Sequence, residues 1–173
     1  MQILGYKDEE DRTYGLAGMA IAVANLNAID RVTMVTLDSD GPMVVFSNEY
    51  YYPASQAASP KATWQRLTEN FQITSAMAIS NLLSRCMAHH RTDELPQLLD
   101  GLRKAIKEEA ADSCQLDADE ADDIFRSTLS FSQRIFGNRR LQPYIDEFAG
   151  ILARKRTLSG REIMEELSLL RLI

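Results

Sequence analysis

Tyr14-Gly-Leu-Ala-Gly-Met-Ala-Ile-Ala-Val-Ala-Asn-Leu-Asn-Ala-Ile29 is the stretch whose reading decides the fold. It is rich in alanine, with charge before it at Lys7 to Arg12 and after it at Asp30 and Arg31. The alanine content favours a helix, although Met19 to Ala24 also alternates as a strand would. Plotted at about 100° per residue, Gly15, Gly18, Ala22 and Asn25 share one side, while Leu16, Met19, Ile21, Val23 and Leu26 occupy most of the rest. A helix that is apolar nearly all round belongs at the centre of a core, and its side of small residues lets another backbone come close.

Outward from this helix, Arg31 to Leu37 alternates with β-branched residues, Asp38-Ser-Asp-Gly41 has turn chemistry, and Pro42 to Ser47 reads as the returning strand of a hairpin. Asp38 and Asp40 do not form a calcium loop, because the glycine comes too early for an EF-hand and no ligand series follows. Met1 to Tyr6 reads as a short edge strand and Ala54 to Pro60 as a loop. Tyr50, Tyr51 and Tyr52 cannot all face inward, so they read as a half-buried strand end or as surface and groove residues. Thr63 to Ala88 predicts a long helix with one narrow polar sector, Asn70, Thr74, Asn81 and Arg85, which is either its solvent edge or a polar line along a groove. Further helices are expected from Asp93, from the capping pair in Asp117 to Glu120, from Pro143, and from Ser159 to about Leu172, where a capping box with Glu162 meets a staple from Leu158 to Ile163. The sum is an α+β, mainly α-helical single domain over residues 1–173, with about five to six helices and a small β-hairpin sheet.

With 45% hydrophobic and 25% charged residues, a disordered or collagen-like chain is excluded, and a net charge of −6 gives no overall electrostatic case for nucleic acid or an anionic membrane. Leu16 to Ile29 is broken by Asn25 and Asn27 and falls short of the about 20 residues a bilayer span takes. Four acids, Asp8 to Asp11, stand where a signal peptide would be basic. Cys86 and Cys114 are too few for a disulfide framework. The expectation is a soluble cytoplasmic protein with free thiols. Cys86, His89 and Asp93 have a loosely ligand-like spacing, but zinc takes three or four firm ligands and His90 points off at another angle, so no metal or other cofactor is expected there. From Ile124 to Arg161 there are eight cations against two acids, which reads either as a solvated face or as an anion or nucleic-acid surface.

Four segments carry a family resemblance. Tyr14-Gly-Leu-Ala-Gly-Met-Ala20, followed by Asp30-Arg-Val-Thr-Met-Val35, is similar to the Tyr-His-Glu-Ala-Gly-His-Ala helix and following strand in the peptidase domain of FtsH-type ATP-dependent zinc proteases. Ile73 to Leu83 resembles that domain's Ala-rich core helix, although its Gly-Arg-Ala-Ala-Glu run is missing. Asp122-Asp-Ile-Phe-Arg-Ser-Thr128 resembles Asn-Asp-Leu-x-x-Ala-Thr, and Arg156-Thr-Leu-Ser-Gly-Arg-Glu-Ile163 resembles Glu-Thr-Leu-x-Gly-x-Glu-Ile.

The resemblance implies an FtsH-peptidase-like fold in which the family's two zinc histidines and its catalytic glutamate fall at Gly15, Met19 and Leu16, and its metal-binding aspartate at Asp123. Neither Gly15 nor Leu16 has a donor, and the Met19 thioether is a poor zinc ligand. Without the ion there is nothing to bring the pKa of a bound water near about 7, so the family's hydrolysis is expected to be absent. No Gly-x-x-x-x-Gly-Lys-Ser/Thr motif occurs in the sequence. Three functions compete on these grounds. The first is a catalytically inactive relative that binds a protein or peptide, beside the hairpin, or a second copy of itself. The second is a hydrolase with relocated chemistry around Asp123 with Asn81, Arg85, His89 or a tyrosine of the Tyr50 cluster. The third is anion or nucleic-acid binding through residues 124–161. A candidate groove, Asn70, Thr74, Asn81 and Arg85 with Tyr50, Tyr51 and Tyr52, serves the first.

Overall fold

Asp8 opens the first helix: its carboxylate accepts the Asp11 N–H at 2.8 Å, and α1 runs Glu9–Asn25. The structure, a computed structural model, describes residues 5–39, 41–52 and 59–173. After α1 come strands β1 (Val32–Thr36) and β2 (Val44–Phe46), and helices α2 (Asn48–Tyr51), α3 (Pro60–Ala88), α4 (Leu95–Cys114), α5 (Ala118–Phe136) and α6 (Gln142–Lys155). Strand β3 (Thr157–Ser159) and helix α7 (Gly160–Leu169) close the chain. Among the described residues the protein is α+β and mainly helical, and no helix is long and apolar enough to cross a membrane.

The alanine-rich stretch is a helix, and its alternation does not make a strand. Leu16, Ala17, Ile21 and Val23 are wholly buried, as an all-round apolar surface requires. α1 packs on α3 along its small-residue side and on α6 and α7 elsewhere, while α5 packs on α3 and α4. Leu26 ends the helix, and the left-handed Asn27 (φ 53°) turns the chain toward the sheet.

The hairpin forms as read, antiparallel with Val35 opposite Val44 and a bulge between Val32 and Met34. Its turn residue Asp40 lies outside the described residues. The third strand of the sheet is not the edge strand expected at Met1 to Tyr6 but Thr157–Ser159, where the sequence predicts none. Arg156, at φ 65°, swings the chain out of α6, so that β3 pairs antiparallel to β1 with Leu158 opposite Val35. Leu158 is fully buried there, and the Thr36 and Thr157 hydroxyls meet at 2.7 Å.

Other boundaries shift for local reasons. The tyrosines are not a strand end: Tyr50 and Tyr51 close the short helix α2 and Tyr52 follows it, with Phe46 stacked on Tyr50 at a ring-centroid distance of 4.0 Å and Tyr50 N–H donating to Ser47 O. α4 begins at Leu95 rather than Asp93, since Pro96 lacks an N–H and is tolerated only in the first turn. α7 stops at Leu169 rather than near Leu172, where Arg171 turns left-handed at φ 57° and Leu172 N–H returns to Leu167 O. The expected strand at Met1 to Tyr6 lies mostly outside the described residues, and Gly5 and Tyr6 are not in a strand; of the loop from Ala54 to Pro60, residues 54–58 also lie outside.

Candidate functional site

The side of α1 carrying Gly15 and Met19 meets α3, and no space is left between them. A Cβ on Gly15 would stand 2.7 Å from Asn81 Nδ2, 2.8 Å from Tyr6 Cε1 and 3.1 Å from Arg85 Cδ. Asn81 Nδ2 donates to Tyr6 Oη at 2.8 Å and to Met19 Sδ at 3.4 Å. One turn further on, Gly18 leaves room for the Ser80 carbonyl, and Ser84 Oγ donates across the seam to Tyr14 O at 2.8 Å. Leu16 is fully buried. Zinc does not fit this face: the residues offer one thioether, already a hydrogen-bond acceptor, and a glycine with no room for a side chain. Asp123 sits on α5, with its side chain 72% exposed and ion-paired to Arg126.

At the start of α1 the same face carries a buried charge cluster. Asp11 lies four residues before Gly15 and is completely buried. Its carboxylate accepts Arg85 Nε at 3.0 Å and Arg85 Nη2 at 2.6 Å, Arg91 Nη2 at 2.6 Å and the Lys7 N–H at 3.0 Å. Burial works to raise the pKa of Asp11, but the hydrogen bonds from Arg85 and Lys7 and the charges of Arg85 and Arg91 outweigh it and hold the group below its ordinary value. The Arg85 guanidinium also donates to Gly5 O at 2.8 Å and lies 4.8 Å above the Tyr6 ring. His89 Nε2 stands 3.5 Å from Asp11 Oδ1 without a hydrogen bond. Burial is the main cause that pushes the Cys86 thiol up, against the charges of Arg91 and Arg85.

The polar sector of α3 is therefore not a solvent edge. Asn70, Asn81 and Arg85 are buried, and each is satisfied by a neighbouring element. Asn70 takes a hydrogen bond from Arg31 and donates to Tyr50 O at 3.0 Å. Thr74 bonds Asn70 O at 3.0 Å and meets the Tyr50 hydroxyl, whose pKa burial raises. The sector thus splits in two. Asn70 and Thr74 hold the β2–α2 region, and Asn81 and Arg85 hold the chain around α1. Tyr51 and Tyr52 are exposed, the latter at 66%, as are Trp64 and Leu67 near the start of α3.

The residues named for relocated chemistry do not converge. Asp123 pairs with Arg126, whereas Asn81, Arg85 and His89 gather on Asp11 and Tyr6, and Tyr50 belongs to the Asn70 end. In the basic region, four of the eight cations are held in ion pairs. Arg126, Lys155, Arg156 and Arg161 pair with Asp123, Glu166, Glu9 with Asp38, and Glu165 respectively. Among the described residues no group of three or more His, Cys, Asp and Glu is placed to hold a metal ion, so Cys86, His89 and Asp93 form no such set.

Sequence reasoning missed Asp11, Arg91 and Tyr6. The signal for Asp11 was its spacing: residues 11, 15 and 19 lie four apart and so share a helical face. Compared with known proteins, the chain matches no protein-family model and no curated protein.

Proposed function

We propose that this chain is a non-catalytic interaction protein on a scaffold like the FtsH-type peptidase domain, binding a protein or peptide partner or a second copy of itself. The observation that carries the reading is the filling of the Gly15 and Met19 face by Asn81 and Tyr6, where a reactive helix would instead present donors to an open site. Its polar residues act as structure: Arg85 donates to Asp11, to Gly5 O and, through Nη1 at 3.4 Å, to Asn81 Oδ1. Exposed Tyr51, Tyr52, Trp64 and Leu67 lie around α2 and the start of α3, and large aromatic side chains are the residue type that anchors protein interfaces.

The test is a peptide-hydrolysis assay on the purified chain with zinc supplied and with chelator, run beside sedimentation at several concentrations. The reading expects no zinc-dependent cleavage. Cleavage that chelator removes and zinc restores would overturn it.

A further inference from the structure

We propose that the cleft between the α3–α4 and α5–α6 turns is a binding site for a small amphipathic carboxylate, an apolar chain ending in an anionic head. The cleft holds about 330 Å³, within the range of small-molecule sites. Leu83, Met87, Leu95 and Phe136 form apolar walls, and the mouth carries Arg139, His90 and Gln142. Among the described residues no aspartate or glutamate lines it.

The charge at the mouth is what separates this cleft from the others. Four of the eight cations between Ile124 and Arg161 are spent in ion pairs. Of the rest, Arg134, Arg139 and Arg140 fall at the end of α5 and in the turn after it, exposed, and their guanidinium groups make no hydrogen bond or ion pair among the described residues. The positive excess seen in the sequence thus contracts to three cations around the end of α5, of which Arg139 lines the apolar slot. An anionic head that neutralises Arg139 while its chain enters the slot gains a charge-assisted hydrogen bond together with apolar burial. By contrast, the cleft of about 510 Å³ beside Arg85 and Arg91 has its arginines committed to Asp11, and Glu94 in its wall.

This inference does not depend on the reading of the α1 face. The experiment is calorimetric titration of the full chain with decanoate, with decanol and acetate in parallel, and NMR shifts to map the site. Decanoate is expected to bind at least about tenfold more tightly than either control, with shifts at Cys86, Met87 and Phe136. Arg139→Glu, on an exposed turn, is expected to weaken decanoate about tenfold or more, while Arg154→Glu, at the far end of α6, leaves it unchanged. The proposal is overturned if decanol binds as well as decanoate, if both variants weaken binding equally, or if the shifts map elsewhere.

Discussion

Replacing Gly18 with alanine puts the α1–α3 seam to a test of sign. The added Cβ would stand 2.4 Å from the Ser80 carbonyl oxygen and 2.8 Å from Ser84 Cβ. A close C···O contact sits at about 3.3 Å or more, so the helices must part by roughly 1 Å. α3 is held from behind, because Ser80 Oγ bonds Ser132 Oγ of α5 at 2.8 Å in a fully buried contact. Overpacking of this kind costs about 1–3 kcal/mol, and the better helix propensity of alanine returns only about 0.8–1 kcal/mol. With backbone rather than a flexible side chain in the way, the cost lies in the upper part of that range, about 2–3 kcal/mol, and the net loss is about 1–2 kcal/mol. Gly150 on α6 is the control: its nearest neighbour is the flexible Arg154 Nη1 at 3.5 Å, so Gly150→Ala should gain up to about 1 kcal/mol. Urea unfolding followed by helical circular dichroism reads both. The midpoint should fall for Gly18→Ala and rise for Gly150→Ala, and a rise for both would refute the close approach.

Asp11→Ala leaves Arg85 and Arg91 without their counter-charge and should cost about 3–5 kcal/mol in urea unfolding, part of which Arg85→Met restores in the double variant. Because the folded-state pKa of Asp11 lies below its ordinary 3.8, the stabilisation is present above about pH 4 and is lost as pH falls through the folded value. The Asp11→Ala protein should therefore show a flatter stability profile over that acid range. Tyr14, half-buried with its hydroxyl donating to Asp146 Oδ1 at 3.1 Å, is pushed up to about 12 by burial first and by the Asp146 charge second. Its contribution to stability is complete below pH 10 and declines toward pH 12; ultraviolet titration should show the late tyrosine, and Asp146→Asn should bring it earlier. Cys86 and Cys114 are both buried free thiols raised chiefly by burial, so the native chain should react slowly with a thiol reagent at neutral pH and quickly once unfolded.

The parts of the fold legible in the sequence are those with a local physical cause. Period and alanine content predict α1, alternation around turn chemistry predicts the hairpin, and the two capping boxes mark the starts of α5 and α7. β3 was not legible, because three residues carry no periodicity and their strand exists only through pairing with β1. The same holds for the polar sector of α3. Periodicity puts Asn70, Asn81 and Arg85 on one side of a helix, but only tertiary contacts decide whether that side meets water, and here Asp11, Tyr6 and Arg31 cover it. Gly18 gives room to another backbone as its sequence context predicts, that of Ser80, whereas the room at Gly15 is taken by the side chains of Asn81, Tyr6 and Arg85.

The α1 face carrying Gly15, Leu16 and Met19 is closed packing that offers a zinc ion no donor set. Elemental analysis of the untagged chain, purified without chelator and again after zinc is added and dialysed away, tests this most directly. Zinc far below one ion per chain is expected in both samples. One tightly held zinc per chain, lost on Met19→Ala or Asp123→Ala, would contradict it.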